Sequence, residues 1–214
     1  MLEEILAQAP QFILIAARAL AMIEIAPLVS SDSIPQVAKV ALAGFAAFAV
    51  FPLVPPMEIP SEVFNLYFLF LLIGEVFIGI IIGFYLTIIY SAFSSAGQFF
   101  SMQMGFGASE TFDPLAQIEN PLMGQYMNLI GMLTFLTVNG FQQLFLGGFQ
   151  RSIQSMNVLQ LLSAQQGILN LLVRGLSQLF IDALIISMPI LGTLFLVSLA
   201  MGLLSKAAPQ INLL

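Results

Sequence analysis

The sequence predicts an all-α membrane protein of polytopic helical hairpins, with about five long hydrophobic segments and a long glycine-rich connection. Composition is the first reason: 59% of the residues are hydrophobic and only 7% are charged, whereas a soluble domain carries about 25% charged residues. Segment length is the second reason, because several apolar runs approach or exceed the roughly 20 residues that cross a bilayer core. A water-soluble fold could not cover this much apolar surface. Lipid or a partner protein is therefore expected to cover the remainder.

The hydrophobic segments are separated by residues that end helices. In chain order they are residues 5–26, 37–54, 63–90, 122–149 and 176–204. The first stops at Pro27 and the second at Pro55, because proline cannot continue a helix. The fourth is interrupted at Asn139, and Pro189 in the fifth predicts a kink. Of the four lysines and arginines in the connections and at the segment ends, two fall on each side of the membrane. The positive-inside rule therefore leaves the orientation open.

Two connections between these segments have distinctive compositions. Residues 94–121 contain glycine and proline breakers, and their first half is too apolar for a solvated disordered linker. Residues 151–174 carry glutamine, serine and regularly spaced leucine, which predicts an amphipathic surface helix. We interpret the whole chain, residues 1–214, as a single helical domain with the 94–121 connection inside it.

The residue inventory excludes several classes of function. The chain has no cysteine and no histidine, so ordinary zinc or haem ligation and histidine-based catalysis are not available. No P-loop, Gly-x-Gly-x-x-Gly or Gly-x-Ser-x-Gly motif occurs. The net charge of −6 is the reverse of a nucleic-acid-binding surface. We therefore expect no catalytic residue, no cofactor, no metal site and no nucleic-acid partner.

Charged residues inside membrane segments are the strongest candidates for a role, because they are costly to bury. They are Arg18, Glu24, Glu75 and Asp182. Arg18 and Glu24 lie on different faces of one helix, so each is expected to find a partner on another helix or to reach the interface. Glu75 is more simply interpreted as a satisfied buried carboxyl than as a proton site. A small-solute or ion transporter that uses Glu75 and Asp182 is the alternative.

Two glycines in the third segment predict a helix contact. Gly79 and Gly83 are four residues apart, which places both on one helix face. This Gly-x-x-x-Gly spacing lets two helix backbones approach closely in a membrane.

Met102, Met104 and Phe106 differ from the other methionines and phenylalanines because they lie in the glycine-punctuated connection. Flexible thioether side chains can pack against many surfaces and release them, as a deformable seal requires. Composition alone favours ordinary core packing over a seal.

Several short motifs occur in a characteristic order along almost the whole chain. They are Arg18 followed by Ala26-Pro27, Ile34-Pro35 with Lys39, Gln103-Met104-Gly105 with Asp113-Pro114, Asn139-Gly140, and Ala208-Pro209-Gln210-Ile211-Asn212. In this order the chain resembles the FliR family, the R-type subunit of the flagellar and virulence type III export gate. It departs from the family at Phe141, where members often have histidine. The resemblance also implies that the family's last hydrophobic segment, after Asn212, is missing.

The resemblance implies a non-enzymatic subunit of a protein-export channel in the bacterial inner (cytoplasmic) membrane, within the flagellar basal body. Expected partners are P-type and Q-type gate subunits, the FlhB-type switch subunit, exported unfolded polypeptides and membrane lipid. The family's glycine-rich loop resembles a pore plug and maps onto residues 103–114. With one flanking methionine, the plug residues are Met102, Gln103, Met104, Gly105, Phe106, Gly107, Phe112, Asp113 and Pro114.

Overall fold

The computed structural model describes residues 2–27, 29–31, 34–55, 66–105, 112–113, 118–119 and 122–207. The helices are α1 (Leu2–Ile25), α2 (Gln36–Val50), α3 (Leu66–Gln103), α4 (Leu122–Thr137), α5 (Gly140–Gln142), α6 (Gln150–Ser155), α7 (Val158–Ser163) and α8 (Gln165–Ala207). A 3₁₀ turn, Phe51–Leu53, follows α2, and a π-helix, Gln143–Phe149, joins α5 to α6. The all-α prediction is confirmed.

Two short strands accompany the helices. β1 (Phe112–Asp113) pairs antiparallel with β2 (Ile118–Glu119). Phe112 is opposite Glu119, and Asp113 is opposite Ile118.

Within the described ranges, four helices are long and apolar enough to cross a membrane. They include Gln8–Ile25, Gln36–Leu53, Leu66–Gln103 and Gln165–Ala207. The bent pair Leu122–Thr137 and Gly140–Ser155 supplies a fifth if it counts as one span. These correspond to the five hydrophobic segments of the sequence.

Helix α3 continues further than its hydropathy predicts. The third segment was expected to end at residue 90 and a connection to begin at residue 94, but α3 extends to Gln103. That boundary is wrong because Gly97 does not break the helix. A Cβ on Gly97 would lie 2.5 Å from Met123 O, so the glycine permits close packing against α4 instead.

The expected surface helix over residues 151–174 is also wrong. Helix α6 ends at Ser155, Met156 is extended, and α7 begins after Asn157. The backbone N–H of Asn157 donates to Gln160 Oε1 at 3.1 Å, which supplies a cap for the new helix. The remaining residues belong to the first turns of α8.

The fourth segment is not one helix. Helix α4 ends at Thr137, and Asn139 adopts a left-handed conformation with φ of 54°. Asparagine tolerates this region better than most residues, and the chain restarts as a helix at Gly140.

The chain divides into two compact units: Met1–Ile89 with Thr134–Gly175, and Tyr90–Leu133 with Leu176–Leu214. The first unit holds the main apolar core, formed chiefly by the packing of α1 against α2. Its buried members are Ile15, Ala19, Met22, Ile23, Val29, Ala43, Ala46, Ala47, Val50, Val54, Phe149 and Ile153. In the second unit, a Cβ on Gly131 would lie 2.9 Å from the Phe93 ring, and Tyr90 Oη donates to Asn128 O at 2.6 Å.

Candidate functional site

Arg18 is the centre of a buried polar cluster in the first unit. Its side chain is fully buried on α1. The Nε group donates to Glu75 Oε2 on α3 at 2.5 Å. The Nη1 group donates to Ser152 Oγ on α6, and Nη2 donates to the carbonyl of Met156, each at 2.9 Å. We call Arg18, Glu75, Ser152 and Met156 the charge junction.

The charge junction ties α1 to α3 and to the end of α6, because the Arg18 guanidinium donates both to Glu75 and to the stretch from Ser152 to Met156. The Glu75 side chain is only 6% exposed, so the two opposite charges neutralise each other away from water. Removing one member of such a pair costs about 3–5 kcal/mol, since the other charge is left buried alone. Lysine could not replace Arg18, because the planar guanidinium supplies donors in several directions at once.

A second ion pair joins α1 to α2. Lys39 is buried, and its Nζ donates to Glu24 Oε2 at 3.3 Å and to Ser30 O at 3.2 Å. The Glu24 side chain is 36% exposed. The pair therefore fixes the turn between the two helices from its inner side.

Helix α3 contacts α1 along a stripe with a period of four residues. The stripe contains Glu75, Gly79, Gly83 and Thr87. A Cβ on Gly79 would lie 2.5 Å from the carbonyl of Arg18, and one on Gly83 would lie 2.9 Å from the carbonyl of Met22. Thr87 Oγ1 lies 3.0 Å from the last carbonyl of α1, at Ile25. Close backbone contact at the two glycines thus brings Glu75 within hydrogen-bonding distance of Arg18.

Two of the four charges expected to be buried are only half-buried. Glu24 lies in the last turn of α1, where its carboxylate is partly accessible. Asp182 is half-buried on α8 and accepts a hydrogen bond from Gln178 Nε2 at 2.8 Å. Its partner is one turn away on the same helix, and most residues of α8 are exposed.

The residues expected to form a plug fall in three places. Met102 and Gln103 complete α3, and Met104 and Gly105 form the turn after it. Phe112 and Asp113 form β1, whereas Phe106, Gly107 and Pro114 lie outside the described residues.

The turn after α3 has a defined geometry. The N–H of Gly105 donates to Met102 O at 3.2 Å, and Gly105 has φ of +80°, a region that favours glycine. Met102 is 78% exposed and Met104 is 42% exposed. Both thioether side chains are therefore accessible at the end of α3.

Sequence reasoning did not single out Lys39, Ser152 or Met156 as members of polar clusters. Lys39 was counted among loop charges, although it is the only base of the second segment. Ser152 and Met156 gave no signal, since they lie 134 and 138 residues from Arg18.

Comparison with known protein families gives a match over nearly the whole chain. Residues 9–214 match the family described as bacterial export proteins, family 1. The chain belongs to this family. The FliR resemblance is thereby confirmed, because curated relatives in this family are named flagellar biosynthetic protein FliR.

Three curated relatives from different bacteria are similar in sequence to this chain. The Borreliella burgdorferi protein is 35% identical over 70% of the chain and 56% of its own length. The Escherichia coli K12 protein is 31% identical over 58% of the chain and 46% of its own length. The Bacillus subtilis protein is 28% identical over 71% of the chain and 57% of its own length. The chain spans about half the length of the curated relatives that it matches.

The bacterial export family match includes every residue of the charge junction, the Glu24–Lys39 pair and the α3 stripe. With its long apolar helices, this export-family chain is a membrane protein. Its buried charges are engaged in holding helices together.

Proposed function

We propose that the chain is a non-enzymatic subunit of the bacterial flagellar type III export channel, in the inner membrane within the flagellar basal body. In this role it helps to form and seal the pore for unfolded export substrates. The observation that carries the proposal is the match of residues 9–214 to the bacterial export family, whose curated relatives are named flagellar biosynthetic proteins.

Exposed apolar surface supports a role within an assembly. In the most apolar 18-residue window of α8, only 6% of the residues are buried, and Phe195, Leu196 and Leu203 are each more than 60% exposed. Faces of this kind suit contacts with other apolar helices or lipid. P-type, Q-type and FlhB-type subunits are the partners that we propose for them.

The arrangement of acids favours a structural role over a transport site. Glu75 neutralises Arg18 within the charge junction, and Asp182 hydrogen-bonds to Gln178 on its own helix. An ion-coupled transporter requires a carboxylate that can exchange its ion or proton. The commitment of Glu75 to Arg18 therefore speaks against the transporter alternative.

The seal is assigned to residues 103–114 together with Met102. The positive φ of Gly105 turns the chain sharply at the end of α3. Accessible methionines at this turn can pack against a constriction and separate from it again. Apolar side chains can close a narrow pore to water and ions.

Co-purification tests membership of the channel. The chain, tagged and expressed at native level in flagellated cells that lack their own copy, should restore secretion of flagellar proteins. It should also retain the P-type and Q-type subunits when isolated in mild detergent and identified by mass spectrometry. Recovery of the chain without other export subunits would overturn the proposed assembly.

A deletion tests the seal separately from assembly. Removing residues 106–112 should leave the complex intact but make it permeable to small ions, because the apolar segment across the pore is lost. Ion permeability of cells with the parent or deleted channel is the measurement. An assembled deletion variant that is as tight as the parent would place the seal elsewhere.

A further inference from the structure

Asp182 carries a charge for which the chain supplies no counter-charge. It lies in the fifth hydrophobic segment, residues 176–204, and its described partner is the neutral side-chain amide of Gln178. All five lysines and arginines of the sequence lie among the described residues. The ion pairs between those residues use Arg18 and Lys39 with other acids. A charge inside a membrane segment is costly unless it is paired, so the cation for Asp182 is expected to come from outside the chain.

Pro189 creates a second unmet group one turn further along α8. Proline has no backbone N–H, so the carbonyl of Ile185, four residues earlier, loses its donor in the helical ladder. A neighbouring serine or threonine hydroxyl can replace such a donor in a membrane helix. In the described part of the chain, the hydroxyls of Ser187 and Thr193 each bond instead to the carbonyl three residues before them, at 3.1 and 2.8 Å. They therefore leave the Ile185 carbonyl without a donor.

Both acceptors lie on one side of α8. Successive spacings of four, three and four residues place a set of positions on one helix face. We call this set the acceptor stripe: Gln178, Asp182, Ile185 and Pro189. Ile185 is 63% exposed, whereas Ala183 and Ser187, towards the other side of the helix, are fully buried. The acceptor stripe therefore faces away from the interior of the chain.

Depth in the membrane favours a protein over a lipid as the donor. Ile185 is at least nine residues from either end of the segment 176–204, which is roughly 14 Å of helix. Half of the hydrocarbon core is about 15 Å thick. Acyl chains fill the membrane at this depth, and they carry neither a charge nor a hydrogen-bond donor. A helix of another protein can bring a polar side chain there.

The unmet groups decide the chemistry of that helix. Both are acceptors, and one of them is an anion. Lysine and arginine side chains are cations that donate hydrogen bonds and accept none. We propose that the acceptor stripe binds an apolar helix of another export subunit, whose lysine or arginine pairs with Asp182 and which also presents a donor to the Ile185 carbonyl. That the partner is an export subunit rests on the proposed function.

Asp182→Asn tests the charge. The tagged full-length chain is isolated in mild detergent from flagellated cells that lack their own copy, and quantitative mass spectrometry gives the amount of each export subunit retained. The variant should lower retention of one subunit by about tenfold or more, because the partner's cation loses its counter-charge. The melting temperature of the isolated chain should not fall, since Asp182 is unpaired there. Ser198→Ala is the matched control, because Ser198 bonds within α8 to Leu194 O, and it should leave retention unchanged.

Pro189→Ala tests the carbonyl independently. Alanine restores an N–H to the helix, so the Ile185 carbonyl gains an internal donor. The melting temperature of the isolated chain should rise, because proline is unfavourable inside a helix. Retention of the partner should nevertheless fall by several-fold, through loss of one hydrogen bond between the subunits.

A photo-cross-linking amino acid at Ile185 identifies the partner helix. The adduct should contain a membrane segment of another export subunit with a lysine or arginine. Exchanging the charges, with Asp182→Lys and an aspartate in place of the partner's base, should recover most of the retention that either single change removes.

Several results would overturn the inference. They are unchanged retention in Asp182→Asn, adducts with lipid or a second copy of this chain alone, a cross-linked segment without a base, and failure of the charge exchange. Each would leave the proposed function standing if the parent chain retains export subunits. A parent chain that retains none would overturn the proposed function and this inference with it.

Discussion

Helices α1 and α8 are both apolar enough to cross a membrane, yet they are used in opposite ways. In the best window of α1, Gln8–Ile25, 44% of the residues are buried within the chain, against 6% for α8. The more buried helix has the lower mean hydropathy of the two. Hydropathy alone therefore does not indicate which helix forms the interior of this protein.

The difference follows from where the chain satisfies its charges. Helix α1 carries Arg18 and Glu24, which bind Glu75 and Lys39 on neighbouring helices. A charge in an apolar environment must be paired within the protein, so these residues fix α1 at the centre of the first unit. Helix α8 carries Asp182 with a local partner, and no described ion pair draws its exposed half towards another helix.

The largest expected effect comes from breaking the charge junction. Arg18→Met should lower the free energy of unfolding by about 3–5 kcal/mol, because Glu75 is left buried without its counter-charge. Detergent-denaturation curves of the purified chain would measure the change. The double variant Arg18→Met/Glu75→Met should recover most of the loss, since no buried charge remains. A double variant as unstable as the single one would show that shape, not charge pairing, holds these helices.

Leucine truncation compares the two helices directly. Leu14 on α1 is 2% exposed, and Leu196 on α8 is 63% exposed. Leu14→Ala should cost about 2–5 kcal/mol because it leaves a cavity, whereas Leu196→Ala should change the stability of the isolated chain by less than about 0.5 kcal/mol. The same denaturation curves give both values. Equal losses would contradict the contrast between a buried α1 and an exposed α8.

Glycine substitution gives a smaller and more local comparison. Gly79→Ala should destabilise the chain by about 1–3 kcal/mol, because its Cβ would press on the backbone carbonyl of Arg18. Gly192→Ala on α8 meets no atom within 4 Å and should be neutral or stabilising by up to about 1 kcal/mol. Melting temperatures of both variants would decide. Tolerance of alanine at Gly79 would mean that the α1–α3 contact is looser than described.

The sequence was a good guide to the number and type of elements, because apolar length and proline positions act locally. The first segment was expected to end at residue 26, and α1 ends at Ile25. The end of α3 was predicted wrongly because a glycine can either break a helix or permit close packing. Gly97 resembles a breaker in sequence, but it serves close packing against Met123.

The polar clusters could be predicted only in part. The need of Arg18 for a partner on another helix follows from its place in an apolar segment. The identity of that partner does not, because Glu75 is 57 residues away and Ser152 is 134 residues away. Such pairs depend on how helices pack, which a single sequence does not encode in any local pattern.

The central proposal is that the buried face of α1 builds the subunit and that the exposed face of α8 joins it to other export subunits. A photo-cross-linking amino acid at Phe195, which is 61% exposed, tests this in cells with an active flagellar export apparatus. The account predicts adducts with another export subunit, identified by mass spectrometry, whereas the same probe at Leu14 gives only adducts within the chain. Adducts at position 195 with lipid alone would contradict the claim.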